Sequence, residues 1–154
     1  MDNDDTKLMP LPPPGPMLGA ICQLQKAMLE MPQADLETKH HFGPGVYARE
    51  LIVPAGSLII GKTHSKEHLI IVANGDMTIV TEHGRQRVCG PAVFTSPAGV
   101  KRAGYAHEDT TVITIHPTNE TDVDKIEAEV IIPDRHDALT DESMVLKLLQ
   151  EITE

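Results

Sequence analysis

Gly56-Ser-Leu-Ile-Ile-Gly-Lys-Thr-His64-Ser-Lys-Glu-His68-Leu-Ile-Ile-Val-Ala-Asn-Gly75 is the stretch whose reading decides the fold. Two runs rich in β-branched and aliphatic residues, Ser57 to His64 and His68 to Ala73, flank a short polar turn. Asn74-Gly75-Asp76 then signals a tight reversal into a third run, Met77 to Thr81. Strand side chains alternate faces with a period of two. Leu58, Ile60, Lys62 and His64 therefore share one face, and His68, Ile70 and Val72 share a face on the next strand. If both faces point inward, the two histidines meet.

The same punctuation extends in both directions. Val46 to Val53 reads as a strand ending at the turn Pro54-Ala-Gly56. His83-Gly84 turns the chain into Gln86 to Cys89, followed by Ala92 to Thr95 and Val100 to Ala106. Glu108-Asp109 then turns it into Thr110 to His116. Many short strands separated by Gly and Pro predict a sandwich or a closed barrel over residues 45–117.

Ahead of it, residues 1–16 end in a Pro-rich run that cannot be helical and reads as a flexible arm. Residues 17–44 read as a helix and a loop. Leu18, Ile21, Cys22, Leu24, Gln25, Met28 and Leu29 recur at helical spacing until Pro32 stops them, and His40-His41 falls in the loop. Residues 118–154 read as a helical extension, with one helix over Asp122 to Val130 and another over Thr140 to Ile152. Val145, Leu148, Leu149 and Ile152 give the last helix an apolar stripe, which must cover either the barrel's own side or another subunit.

Composition narrows the function classes. The chain has 154 residues, 40% of them hydrophobic, which suits one domain with a core. With two Phe, two Tyr and no Trp, it lacks the aromatic platforms on which base-stacking proteins rely. Its net charge of −10 opposes binding to phosphate backbones, so nucleic acid is excluded as a partner. No run approaches the roughly 18 apolar residues of a membrane span, and no leader pattern opens the chain. A membrane partner is therefore not expected, and a cytoplasmic location is. Cys22 and Cys89 form no metal-binding or redox pair and are expected as buried free thiols.

The glycine–proline skeleton resembles that of the cupin superfamily. Gly56 to Gly75 is similar to the first cupin motif, and Gly90 with Pro97-Ala-Gly99 to the second. The resemblance covers about half of the chain. It implies an all-β fold, a double-stranded β-helix (jelly-roll) barrel, here with short N- and C-terminal helices. It also implies a metal position built from three His and one Glu. Aligned on Gly75, the family's first His falls on Lys62, its second on His64 and its Glu on His68; the His of the second motif falls on Arg102. Tyr105 to Asp109 and Thr114 to Asp122 are similar to segments of small cupin-like proteins encoded in phages and prophages.

Three readings of the interior follow. In the first, His64 and His68 bind Zn²⁺, Fe²⁺ or Ni²⁺ with a third ligand from Glu67, His107 or His116. Alternation turns Glu67 and His107 away and leaves an inward His116 open. In the second, Lys62, His64, His68 and Arg102 form a positive pocket for a small anion, because charged Lys and Arg offer a metal no lone pair. In the third, the interior is closed and the histidines are hydrogen-bonded core residues. Tyr47, Arg49 and Glu50 are further pocket candidates, with the charged two expected to pair outward. His83 and His136 read as exposed. The chain is thus expected to be a homodimeric binding protein for a small ligand or divalent metal. The alternative is a metal-dependent oxygenase, isomerase or lyase acting on a small polar substrate.

Overall fold

The computed structural model describes residues 16–134 and 141–154. The Pro-rich arm up to residue 15, His136 and the predicted helix start at Thr140 lie outside the described residues. In chain order the elements are α1 (Pro16–Leu29), β1 (Thr38–Gly43), β2 (Val46–Val53), β3 (Leu58–Ile60), β4 (His68–Asn74) and β5 (Asp76–Thr81). They continue with β6 (Gly84–Cys89), β7 (Ala92–Ser96), β8 (Ala103–Ala106), β9 (Thr110–Pro117), α2 (Val123–Val130) and α3 (Glu142–Thr153). None of these helices is long and apolar enough to cross a membrane.

The strands form two antiparallel sheets, β1-β2-β9-β4-β7 and β3-β8-β5-β6, in a jelly-roll arrangement. Their inner faces meet in a core of Val53 and Val72 from one sheet and Met77, Ile79, Val88 and Ala106 from the other. Among the described residues no ladder joins the sheets, so the predicted barrel is open along its sides. Two motif glycines allow the close packing at one end. Gly75 has φ of 97°, and a Cβ there would collide with Thr110 Oγ1 and come within 2.6 Å of the Asp109 carbonyl oxygen. A Cβ on Gly90 would lie 2.7 Å from Asn74 Cα, and Gly90 N–H donates to the Gly75 carbonyl at 3.0 Å.

The outer face of the four-stranded sheet is covered by α1 and α3. Ala20, Ile21 and Leu24 pack with Val80, Ala103, Leu148 and Ile152, so the C-terminal stripe covers the protein's own sheet. Asp141 caps α3, accepting from Met144 N–H. Asp122 caps α2, accepting from Asp124 and Lys125 N–H. Ile126 and Val130 of α2 pack with Tyr47.

Four expectations need correction. Residues 38–43 are a strand rather than part of a loop, paired with β2 from Thr38↔Leu51 to Gly43↔Val46. This edge strand is nearly all exposed, so it carries no apolar alternation from which to read it. The run from Ser57 to His64 keeps only Leu58–Ile60 as strand. Its facing is also reversed: Ile59 packs with the inner core, while Leu58 and Ile60 pack towards the helices. Finally, Cys89 is exposed rather than buried, although both thiols are free.

Candidate metal centre

His68 opens β4 and His116 lies near the end of β9, on strands paired through Leu69↔Ile115. Alternation turns both inward, and both are buried. His64 arrives by a different route, from the irregular segment after β3. Its carbonyl accepts from Gly99 N–H at 2.8 Å, so the Pro97-Ala-Gly99 turn of the second motif holds the histidine of the first. On its other side it bridges Ile131, while Ser65 N–H donates to Val130 O at 2.7 Å and Ile132 N–H to Thr63 O at 3.0 Å.

These elements bring three imidazoles together. Ring centroids are 4.4 Å apart for His64–His68, 5.1 Å for His64–His116 and 4.8 Å for His68–His116. One ring nitrogen from each lies within 4.8 Å of the others, so the three can hold one metal ion. Burial lowers the pKa of His64 and of His116 from 6.5 to about 4, and repulsion from His68 and Arg49 adds to this. His116 and Arg102 also act on His64. Burial lowers His68 too, against a bond of its ring Nδ1 to the Lys66 carbonyl at 3.2 Å. A carbonyl only accepts, so Nδ1 carries the proton there and Nε2 keeps a lone pair for the interior. Three neutral imidazoles are what a divalent ion requires.

A cavity of about 160 Å³ adjoins the cluster between the sheets. Leu51, Ile59, Ile70 and Val112 supply its aliphatic wall, and Tyr47, Arg49, Lys62, Arg102 and Glu127 its polar one. Lys62 is exposed and 3.9 Å from Glu127, whereas Arg102 is half-buried, close enough to repel charge on His64 and His68. Burial lowers the Arg102 pKa, but a guanidinium stays charged at any ordinary pH.

The other predicted residues separate clearly. Glu67 is exposed and faces the outer groove with Leu69 and Val46. His107 lies outside the cluster, hydrogen-bonded to Thr78 Oγ1 at 2.6 Å and edge-on to Tyr105. Of the three proposed third ligands, His116 alone joins the cluster. Glu50 pairs outward with Lys39 and His41, but Arg49 lines the cavity instead of pairing outward. Glu127 was not foreseen from sequence, and α2 offers only the Ile126 and Val130 spacing as a local signal.

The depressed values of His64 and His116 predict how the metal-free protein responds to acid. Both are neutral in the fold down to about pH 4, whereas in the unfolded chain they take up protons near pH 6.5. The unfolded state then binds more protons, so their contribution is intact above pH 6.5 and is lost as pH falls towards 4. Urea midpoints are expected to be flat from pH 7 to 8 and to fall below 6.5. A His64→Gln/His116→Gln pair should flatten that fall; an equally steep fall in the double variant would refute the assignment.

The fold is a jelly roll of two antiparallel sheets, and the cluster gives it a three-histidine interior. No protein-family model matches the chain, and no curated protein matches it in sequence. Similar solved structures include KdgF from Halomonas sp., at 18% identity over 62% of this chain and 93% of that chain, with a TM-score of 0.49. A cupin-2 domain protein from Shewanella frigidimarina is 14% identical over 66% of this chain and 99% of that chain, with a TM-score of 0.46. A cupin superfamily protein from Desulfitobacterium hafniense is 12% identical over 60% and 86%, with a TM-score of 0.48.

Proposed function

We propose that the protein binds one divalent transition-metal ion through His64, His68 and His116 and presents it to a small ligand in the cavity. The observation that carries this is the convergence of three inward, neutral imidazoles beside an open cavity. Imidazole suits Zn²⁺, Fe²⁺ and Ni²⁺, and three protein ligands leave coordination positions free. A bound ion supplies Lewis acidity at those positions. The chain's own residues orient the imidazoles, surround the cavity with aliphatic groups and set the exposed Lys62–Glu127 pair in its wall. Such a centre suits a metal-dependent oxygenase, isomerase or lyase as well as a ligand-binding protein.

The test is elemental analysis of protein purified without a chelating tag. About one equivalent of metal per chain is expected, either as isolated or after adding Fe²⁺, Ni²⁺ or Zn²⁺. Protein that remains metal-free after all three additions would overturn the reading.

We further propose a homodimer, formed through a different surface from the helical stripes. The stripes of α1 and α3 are used within the chain, but the outer face of the five-stranded sheet is covered by no described helix. Ile71 pairs with Ile113 and Val93, and Leu69 with Ile115, in one apolar block on that face. Leu69 is 43% and Val93 65% exposed. Glu50, on the same face, is paired with Lys39 at 3.8 Å, which offsets the charge that would repel a second copy. Strand spacing and rise make the face roughly 20 by 25 Å. Two copies would then bury about 1,000 Å², the lower end for a specific interface. Sedimentation should show a dimer at tens of micromolar that Val93→Asp converts to monomer. A wild-type monomer at that concentration would sink the proposal.

A further inference from the structure

Arg49 and Arg102 do not fit a site built for a cation alone. Arg49 comes from β2 in the five-stranded sheet and Arg102 from the residue before β8 in the other, so they approach the cavity from opposite layers. Both stand close enough to repel charge on His64. Among the described residues, neither has a carboxylate partner or a side-chain hydrogen bond, in a protein with ten more acidic than basic side chains. Lys62 is balanced by Glu127. The cavity wall therefore carries two uncompensated positive charges before any ion enters, and a divalent ion on the histidines would raise that to four. Like charges at such range oppose one another strongly in a partly desolvated space.

We propose that the cavity takes a small aliphatic monocarboxylate together with the metal, anchored by Arg102 and Arg49, and that each of the two ligands strengthens binding of the other. This inference rests on the metal site proposed above and adds the class of ligand and the coupling. A planar carboxylate matches the guanidinium fork, which donates two parallel hydrogen bonds. The short tail meets Leu51, Ile59, Ile70 and Val112. A cavity of about 160 Å³ lies below the range of roughly 300–1,000 Å³ used by drug-sized ligands, which restricts the ligand to a few carbons. The carboxylate offsets one of the two positive charges and so weakens their repulsion of the metal. By linkage, the metal must improve carboxylate binding by the same factor.

Propionate and Co²⁺ are the probes, with calorimetry for affinity and the visible Co²⁺ spectrum as a second readout. Saturating propionate is expected to tighten Co²⁺ binding at least tenfold and to change the spectrum, and Co²⁺ to tighten propionate binding by an equal factor. Arg102→Gln should act in opposite directions on the two ligands. Co²⁺ alone binds more tightly, because a repelling charge is gone. Propionate binds at least tenfold more weakly to the metal-free protein, and most of the coupling disappears. A misfolded variant would lose both, so the split is diagnostic, and Arg49→Gln provides a second instance. Unchanged propionate affinity in both variants, or absence of coupling in the wild type, would overturn the inference. If the wild type takes up no Co²⁺, the metal reading and the coupling both fail. Propionate binding that depends on Arg102 would then still support the anion site on its own.

Discussion

Replacing His116 by Ala is expected to lower divalent-metal affinity by at least about 100-fold. Loss of an outer-shell partner alone typically costs 10–100-fold, and here one of three coordinating groups is removed. Among the described residues nothing nearby is placed to replace it. Tyr47 is the adjacent ring, at 6.1 Å, and its hydroxyl is engaged by His40 Nδ1 at 2.6 Å, with the thiols elsewhere. Glu127 also lines the cavity, but it is drawn towards Lys62. Two controls separate coordination from general damage. His107→Ala and Glu67→Gln alter residues that were also potential third ligands from sequence, and both should leave metal affinity within about twofold. Titration of each purified variant with Zn²⁺ and Ni²⁺ measures the effect. Wild-type affinity in His116→Ala would exclude it as a ligand and with it the three-histidine centre.

How far the sequence carried this site depends on the range of the interactions that build it. His64 and His68 were legible because a local glycine–proline skeleton brackets them, and that skeleton has steric reasons to exist at Gly75 and Gly90. His116 was legible only as one option among three, because alternation along β9 sets its facing but not its neighbours. The parity of Leu58 to His64 was misjudged: the strand ends at Ile60, and beyond Gly61 the backbone no longer follows a period of two. His64 still enters the interior, for reasons outside that strand, namely its bonds to Gly99 and Ile131. Arg49 was placed outside on the rule that charged strand residues face water, a rule that fails where a cavity is polar. Glu127 could not have been located at all, since the docking of α2 is a tertiary event. The jelly roll was legible except for the extent of β3, the open sides, and β1, whose largely polar sequence joins the sheet through its backbone ladder and polar side-chain pairs rather than a buried apolar face.

The largest effect on stability is expected at Asp134, and it should reach the metal centre as well. Lys101 is 2% exposed, and its ammonium meets Asp134 Oδ1 at 2.9 Å. The same oxygen accepts from Thr63 Oγ1 at 3.1 Å. Each partner sits next to a residue of the site: Thr63 precedes His64, and Lys101 precedes Arg102. Asp134 belongs to the chain just after α2, whose residues line the cavity. One carboxylate therefore adds a side-chain tie among three segments that backbone bonds also join, Ile132 N–H to the Thr63 carbonyl and Gly61 N–H to the Arg102 carbonyl, both at 3.0 Å. Asp134→Asn keeps the shape but leaves the Lys101 charge buried without its partner, a change that costs about 3 kcal/mol at the lower end for broken buried pairs. The lower end applies because Asp134 is itself 28% exposed. Adding Lys101→Met removes the stranded charge and should recover at least half of the loss, since apolar replacements of whole buried pairs are often neutral or stabilising. Urea unfolding at an unchanged m-value measures both. Because the amide oxygen left by Asp134→Asn accepts from Thr63 Oγ1 without the charge assistance of a carboxylate, metal affinity should fall by up to about tenfold, the low end for a weakened supporting contact. The double variant should regain stability without regaining that affinity, because the acceptor facing Thr63 Oγ1 remains the neutral amide. A loss of stability below about 1 kcal/mol in Asp134→Asn would show that the pair contributes no more than one on the surface.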